Sequence, residues 1–255
     1  MLEVAEGLVE AGERCLSWSY EVRSIVSTAE AHSLRGRRLY DRPAVGSSAS
    51  RWIALTVLAG LAGAAGWWRK NPSACPYGQR FWVEAPHPFI TRARLRDALD
   101  PCPGDTVLEI GPGTGYYSLD VARWIQPDGT LHLVDLQREM LDHTMRRARE
   151  ARLDNLEPRR ADARALPYPD ETFDAAFMVA VLGEVPDQDG ALREVRRVVK
   201  PAGRVVIGEL AGDPHMVTAN GLRARAERVG LAFERRVGPP FGYFGVLRRN
   251  GTGQR

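Results

Sequence analysis

An α/β fold built on an open, mainly parallel sheet is predicted by three features of this chain. The apolar run Thr106-Val-Leu-Glu-Ile110 leads into three glycines spaced two apart, Gly111, Gly113 and Gly115. A helical pattern, Tyr117 to Ile125, follows at once. A second β-rich run, Thr130-Leu-His-Leu-Val-Asp135, ends in an acid at the distance from Gly115 that one intervening helix would span. Strand, glycine turn, helix and a second strand closing on a carboxylate are the parts of a nucleotide-type cofactor site in an open α/β sheet. Glycine lacks a Cβ, so the backbone turns sharply and a ligand can lie against it, while the acid accepts from ribose hydroxyls.

The glycine spacing separates two readings. A dinucleotide fingerprint, G-x-G-x-x-G, would place its third glycine where Tyr116 stands. Here the third glycine comes one residue early, at Gly115. A nicotinamide-dependent oxidoreductase is therefore the disfavoured enzyme alternative.

The elements before the first strand differ in character. Residues 1–50 form an N-terminal extension, partly disordered, in which Leu2 to Glu13 has a short amphipathic pattern and Arg35 to Ser50 reads as a linker. Translation starting further downstream is an alternative for this segment. Residues 51–70 are predicted to be a membrane anchor helix. The stretch Trp52 to Trp68 carries no charge, tryptophans stand at both ends, and Arg51 and Arg69-Lys70 flank it. Ala59/Gly63 and Ala62/Gly66 offer small residues at a spacing that suits close helix contact in lipid. A buried soluble helix and a signal peptide cleaved near Ala62-Gly-Ala64 are the competing readings. Basic residues lie on both sides of the run, so charge barely orients it. Residues 71–100 form a proline-punctuated connector and cofactor-site lid whose end, Thr91 to Leu99, reads as a helix.

Composition narrows the functional classes. The 255 residues are 44% hydrophobic and 26% charged. That balance is enough for a packed core. A net charge of +3 is too small to argue for a nucleic-acid partner, and none is expected. Cys15, Cys75 and Cys102 make neither a disulfide framework nor a metal site, and suit a reducing cytosol.

Downstream of Asp135 the pattern continues. Pro158-Arg-Arg-Ala-Asp162-Ala163 places an acid after a third strand, and Leu166 to Asp174 leads into the apolar run Ala175 to Leu182. A helix over Ala191 to Lys200, a turn at Pro201-Ala-Gly203 and a strand over Arg204 to Leu210 follow. These ordered motifs, over residues 101–255, resemble the class I S-adenosylmethionine-dependent methyltransferases, in the branch that acts on small molecules and lipids such as quinones and phospholipids. The resemblance implies a Rossmann-like, seven-stranded, mainly parallel sheet with an antiparallel C-terminal edge hairpin over Leu231–Val237 and Gly242–Leu247.

The resemblance also implies S-adenosyl-L-methionine as cofactor and assigns residues to it. Glu109, Gly111, Pro112, Gly113, Thr114 and Gly115 would hold the methionine end, Asp135 and Leu136 the ribose and its surroundings, and Asp162 and Ala163 the adenine. No metal is implied and no catalytic base is assigned. Methyl transfer from a sulfonium depends mainly on alignment, so a base is optional. Glu184 and His215 are candidates for proton removal, with a surface position at a helix start as the alternative for His215. By the same resemblance Phe81, Trp82, His87 and Phe89 would line the acceptor side. The implied partner is a small or lipid-like methyl acceptor near the membrane, with the catalytic domain cytoplasmic. A soluble cytoplasmic protein and a non-catalytic membrane-tethered cofactor-binding module are the alternatives.

Overall fold

A computed structural model describes residues 52–60, 63, 66, 74–79, 81 and 87–249. The chain divides into two units, Met1–Val57 and Leu58–Arg255, and the sheet belongs to the second. Its strands are β1 (Thr106–Ile110), β2 (Thr130–Asp135), β3 (Leu156–Arg160), β4 (Phe173–Val179), β5 (Val199–Leu210), β6 (Leu231–Val237) and β7 (Gly242–Arg249). Among the described residues, the helices that pack with them are α1 (Arg92–Leu99), α2 (Ser118–Trp124), α3 (Arg138–Glu150), α4 (Gln188–Val198) and α5 (Ala219–Arg228).

The strands lie in the order β3-β2-β1-β4-β5-β7-β6. Strands β1 to β5 pair in parallel, and β7 joins β5 and β6 antiparallel, as the resemblance implied. Parallel strands covered on both faces must be apolar on both faces. Accordingly Leu108, Met178, Val205 and Ile207 pack with α4 and α5 on one side. Val107, Leu133, Phe177 and Val206 pack with α1, α2 and α3 on the other. Local chemistry sets the helix starts: Thr91, Asp187 and Thr218 each accept from a backbone N–H in the first turn of α1, α4 and α5.

The strand order reverses between β2-β1 and β4-β5, so the C-terminal ends of β1 and β4 open a crevice at the switch point. Every carboxylate and glycine of the expected cofactor set except Asp162 lies at the end of β1 or β2 or in the loop that follows.

The predicted anchor is described only in part. Residues 52–60 are helical, with Trp52, Ile53, Leu55, Val57 and Leu58 exposed. At a rise of about 1.5 Å per residue this stretch spans roughly 14 Å, against about 30 Å of bilayer hydrocarbon. Among the described residues no helix is long and apolar enough to cross a membrane. Residues 51, 61–62, 64–65 and 67–70 of the expected anchor, and the whole of 1–50, lie outside the described residues.

Candidate active site

The glycine loop has the backbone that its composition allows. Gly111, Gly113 and Gly115 have φ of +70°, +56° and +81°. This is the left-handed region that side-chain-bearing residues rarely enter. A Cβ on Gly111 would run into the Val181 side chain, and one on Gly115 would come within 2.9 Å of Thr144 Cγ2. The loop is fixed from behind by α3. Thr144 Oγ1 donates to the Gly113 carbonyl at 3.0 Å, and the Arg147 guanidinium donates to the Thr114 carbonyl at 2.7 Å. Thr144 and Arg147 stand three apart on one helix face, a spacing that sequence reading could have noticed. Pro112 is buried within the loop, and its carbonyl accepts from Gly115 N–H at 2.9 Å.

Glu109 and Asp135 sit on adjacent parallel strands, since Glu109 is in register with Leu133. Glu109 is 2% exposed, and its Oε2 has no hydrogen-bond partner. Burial pushes its carboxyl up to about 8; the neighbouring Ser118 hydroxyl opposes the rise and the Asp135 charge adds to it. Asp135 is also raised by burial, against hydrogen bonds from backbone N–H groups that include that of Gln137, 2.8 Å from Oδ1. Leu136, directly after it, is 52% exposed, an apolar side chain presented at the crevice end of β2.

Asp162 follows β3, with Ala163 buried beside it. Its carboxylate is already engaged. Arg164 Nε lies 3.0 Å from Oδ1, Arg164 Nη2 lies 2.6 Å from Oδ2, and the Arg164 N–H donates to Oδ1 at 2.8 Å. This fork holds Asp162 below the usual carboxylate range. Sequence reading assigned Asp162 to the adenine, with an ordinary loop acid as the alternative, and missed Arg164.

The loop after β4 contributes Glu184, in a 3-10 turn over Leu182–Glu184. The turn is entered through Ala180, a non-glycine residue at φ +54°. Such a conformation stores strain and clusters beside functional sites. Burial raises the Glu184 carboxyl to about 7, with the Asp213 and Asp135 charges adding to the rise. His215 corrects one reading. It is not a surface residue at a helix start: its side chain is 5% exposed, and α5 begins only at Ala219. A Cβ on Gly183 would collide with the His215 carbonyl, so the 3-10 turn lies directly against the loop after β5.

Residues 74–79 lie over this edge. Cys75 N–H donates to Glu184 Oε2 at 3.2 Å, and the Cys75 carbonyl accepts from Gln137 Nε2 at 2.9 Å. Tyr77 N–H donates to Gln137 Oε1, and its hydroxyl lies 3.1 Å from His143 Nδ1. The segment thus bridges the loops after β2 and β4. Gln137 is the main residue that sequence reading missed, because its partners are far away along the chain. Of the expected acceptor-side residues, His87 packs edge-on to Tyr116 at 5.2 Å and Phe89 edge-on to Phe241 at 4.7 Å. Phe81 is exposed, and Trp82 lies outside the described residues.

The arrangement fits a nucleoside bearing a cationic amino-acid tail. It offers a loop with no room for side chains, a buried carboxyl with one oxygen unpartnered, a second carboxylate one strand away and an apolar side chain beside it. Two shallow grooves elsewhere are less suited. One lies between α5 and β6, around Arg223 and Arg236; the other, at the opposite end of the sheet, is lined by ion-paired Asp105, Asp174, Lys200 and Arg204. Among the described residues no cluster of His, Cys, Asp and Glu could hold a metal ion.

Comparison with known proteins agrees with the geometry. Residues 107–203 match the family described as methyltransferase domain. The ubiquinone/menaquinone biosynthesis C-methyltransferase UbiE of Hahella chejuensis is 37% identical over 109 residues, which are 42% of this chain and 44% of that protein. An uncharacterized 37.1 kDa protein in transposon TN4556 of Streptomyces fradiae is 37% identical over 115 residues, 45% of this chain and 33% of that protein. The chain thus spans less than half the length of these curated relatives. Among solved structures, a SAM-dependent methyltransferase from Aquifex aeolicus superposes with a TM-score of 0.63 at 21% identity, covering 69% of this chain and 98% of that one. The [4+2]-cyclase SpnF superposes at 0.56 and 21% identity over 62% of this chain and 79% of its own. At such identities the likeness concerns the fold.

Proposed function

We propose, from this chain's membership of the class I S-adenosylmethionine-dependent methyltransferases, that it transfers the cofactor's methyl group to a small amphiphilic acceptor. S-adenosylmethionine supplies an activated methyl group on a sulfonium, so the protein's task is to bind, align and exclude water. The observation that carries the reading is the buried Glu109 and the half-buried Asp135, on adjacent strand ends beside a glycine loop closed to side chains.

In this reading Asp135 accepts from the ribose hydroxyls and Leu136 packs against the adenine face. Asp162 accepts from the adenine amino group once Arg164 shares or releases it, and Ala163 offers its backbone N–H. Glu109 orients the cationic amino-acid tail, and Gly111 to Gly115 let the backbone approach it. Residues 74–79, tied to Gln137 and Glu184, screen the crevice from water. Roles on the acceptor side fall to the loop after β4 and to Phe89. The quinone methyltransferase name of the Hahella chejuensis relative supports an amphiphilic acceptor.

That the acceptor is met at a membrane rests on the uncharged run Trp52 to Trp68 and on the exposed apolar side chains of its described part. Flotation of the full chain with liposomes tests this point separately. Calorimetry tests the core reading: micromolar binding of S-adenosylmethionine is expected, and binding of NAD in its place would sink the assignment.

A further inference from the structure

Three carboxylates at the C-terminal ends of β4 and β5 are not absorbed by the cofactor. Glu184 lies in the turn after β4, Glu209 near the end of β5, and Asp213 in the loop that follows. Val179 and Gly208 are in register, so these positions crowd one corner of the sheet. Glu209 is fully buried. Its Oε2 accepts from Val217 N–H at 3.0 Å, while Oε1 has no hydrogen-bond partner. The loop after β5 ties the three positions together: Val217 N–H bonds Glu209, His215 N–H donates to Asp213 Oδ1 at 2.8 Å, and the turn bearing Glu184 packs on the His215 carbonyl. Burial raises the Glu209 carboxyl, and the Asp213 and Glu184 charges add to the rise. Among the described residues no Arg or Lys pairs with any of the three, in a chain otherwise rich in arginine–carboxylate pairs. Among the described residues the basic side chain within ion-pair range of them is His215, whose Nδ1 is 3.8 Å from Asp213 Oδ1.

A fully buried carboxyl with one oxygen unpartnered, in the field of two further carboxylates, keeps its proton until a cation arrives to pair with it. The corner also has an apolar rim. Phe241 and Phe89 pack edge to face, and the Phe241 carbonyl accepts from Ala211 N–H at 2.7 Å, where the loop bearing Asp213 begins. Both rings are partly exposed. An acidic floor under an aromatic rim matches a cation carried on an apolar body.

We propose that the reacting end of the acceptor is a basic amine, received as its ammonium ion by Glu184, Glu209 and Asp213, with its apolar part on Phe89 and Phe241. The inference rests on the methyl-transfer reading above and names its substrate class. The proton balance is simple. The ammonium gives one proton to the Glu184 carboxylate, which frees the nitrogen lone pair. That pair forms the N–CH₃ bond as the S–CH₃ bond breaks, and sulfur keeps the bonding electrons as a neutral thioether. The product is a methylated ammonium carrying the charge the sulfonium lost. Glu184, raised to about 7, is matched to taking that proton near neutral pH.

The test uses the full chain saturated with S-adenosylhomocysteine and titrated with 1-octylamine or 1-octanol. Octylamine is expected to bind at least tenfold more tightly than octanol, about 1.4 kcal/mol. Because Glu209 holds its proton in the free protein, the amine should also expel protons, seen as binding heat that depends on buffer ionisation. Glu184→Gln and Glu209→Gln should each weaken octylamine at least fivefold and leave octanol unchanged. Equal affinity for the two probes, or no binding of either, overturns the proposal. So does unchanged octylamine binding in variants that still hold S-adenosylhomocysteine. If the variants weaken S-adenosylmethionine relative to S-adenosylhomocysteine and leave octylamine alone, the carboxylates serve the cofactor's sulfonium and the inference is wrong. A chain that binds no S-adenosylhomocysteine at all defeats the methyl-transfer reading first, a result recognisable before any amine is added.

Discussion

The two ends of the sheet use the same residue types for opposite purposes. At the N-terminal end, where β1, β4 and β5 begin, carboxylates are answered by cations. Arg204 lies 2.7 Å from Asp105 Oδ2 and donates to the Asp100 carbonyl, and Lys200 Nζ lies 2.7 Å from Asp174 Oδ1. Partial burial alone would raise Asp174, but the Lys200 ammonium and the Thr106 N–H hold it below its ordinary value. At the C-terminal end Glu109, Asp135, Glu184 and Glu209 have no Arg or Lys partner among the described residues, and burial raises all four. Paired charges tie strand ends to loops. Unpaired ones weaken the fold locally and leave capacity for ligands, which is the difference between structure and function in this molecule.

The sharpest way to break the contrast is at Asp135. Two ribose hydroxyls donating to a carboxylate are worth about 3 kcal/mol together. Asp135→Ala should therefore weaken S-adenosylmethionine about 100-fold by calorimetry. Thermal unfolding without ligand should stay the same or rise, because the change removes a carboxyl that folding penalises. A variant that lost stability and binding in step would show that Asp135 belongs with the structural carboxylates.

Arg204 should behave in the reverse way. Its side chain and that of Asp105 are each 14% exposed. Removing one therefore leaves the other poorly solvated. Arg204→Met is expected to lose about 2–3 kcal/mol in urea unfolding with cofactor affinity within about twofold of wild type. Asp105→Leu added to it should restore part of that loss.

Glu209 tests the contrast through pH. Its folded-state value, about 8, exceeds the ordinary value of 4.5, so the native state binds more protons between those limits. Stability contributed by the protonated form is complete below the unfolded value and is lost as pH rises toward 8. The Asp213 and Glu184 charges add to the rise that burial causes, and burial and the Glu209 charge raise the Tyr243 hydroxyl. Wild-type stability should fall by about 2 kcal/mol between roughly pH 5.5 and 8.5, and Glu209→Gln should flatten that slope. Parallel slopes for the two proteins would place the pH dependence elsewhere.

How much of this was legible in the sequence varied with the range of the interaction. The β1 and β2 boundaries, the C-terminal hairpin that starts with Leu231–Val237, and the glycine loop were readable because strand alternation and turn chemistry are local. Asp135 was readable from its distance to the loop. The clamp of Gln137 on Cys75 and Tyr77, and the burial of Glu209, were not. Each depends on which segments the sheet order brings together, and the tripeptide Gly208-Glu209-Leu210 looks like an ordinary polar strand end. The run from Trp52 was legible as apolar and uncharged, but a glycine- and alanine-rich stretch at the lower limit of spanning length does not determine its own setting.

The smallest effect is expected where the two patterns meet. Asp162 occupies a cofactor position, yet it is ion-paired like a carboxylate of the opposite end, with Arg164 close by in the chain. The pair is partly exposed, at 31% for Asp162 and 45% for Arg164. Water therefore screens much of it. An adenine amino group would have to share the carboxylate with the guanidinium or displace it. Arg164→Ala should free Asp162 and tighten S-adenosylmethionine by about threefold, within the range of exposed ion pairs. Asp162→Asn in the same assay should weaken binding, because one of its acceptor oxygens becomes a donor amide. If Arg164→Ala instead weakened the cofactor, the fork would be positioning Asp162 rather than competing for it. Asp162 would then be a carboxylate made ready for its ligand by a neighbouring cation, in contrast to Glu109 and Asp135, which burial raises and no cation answers among the described residues.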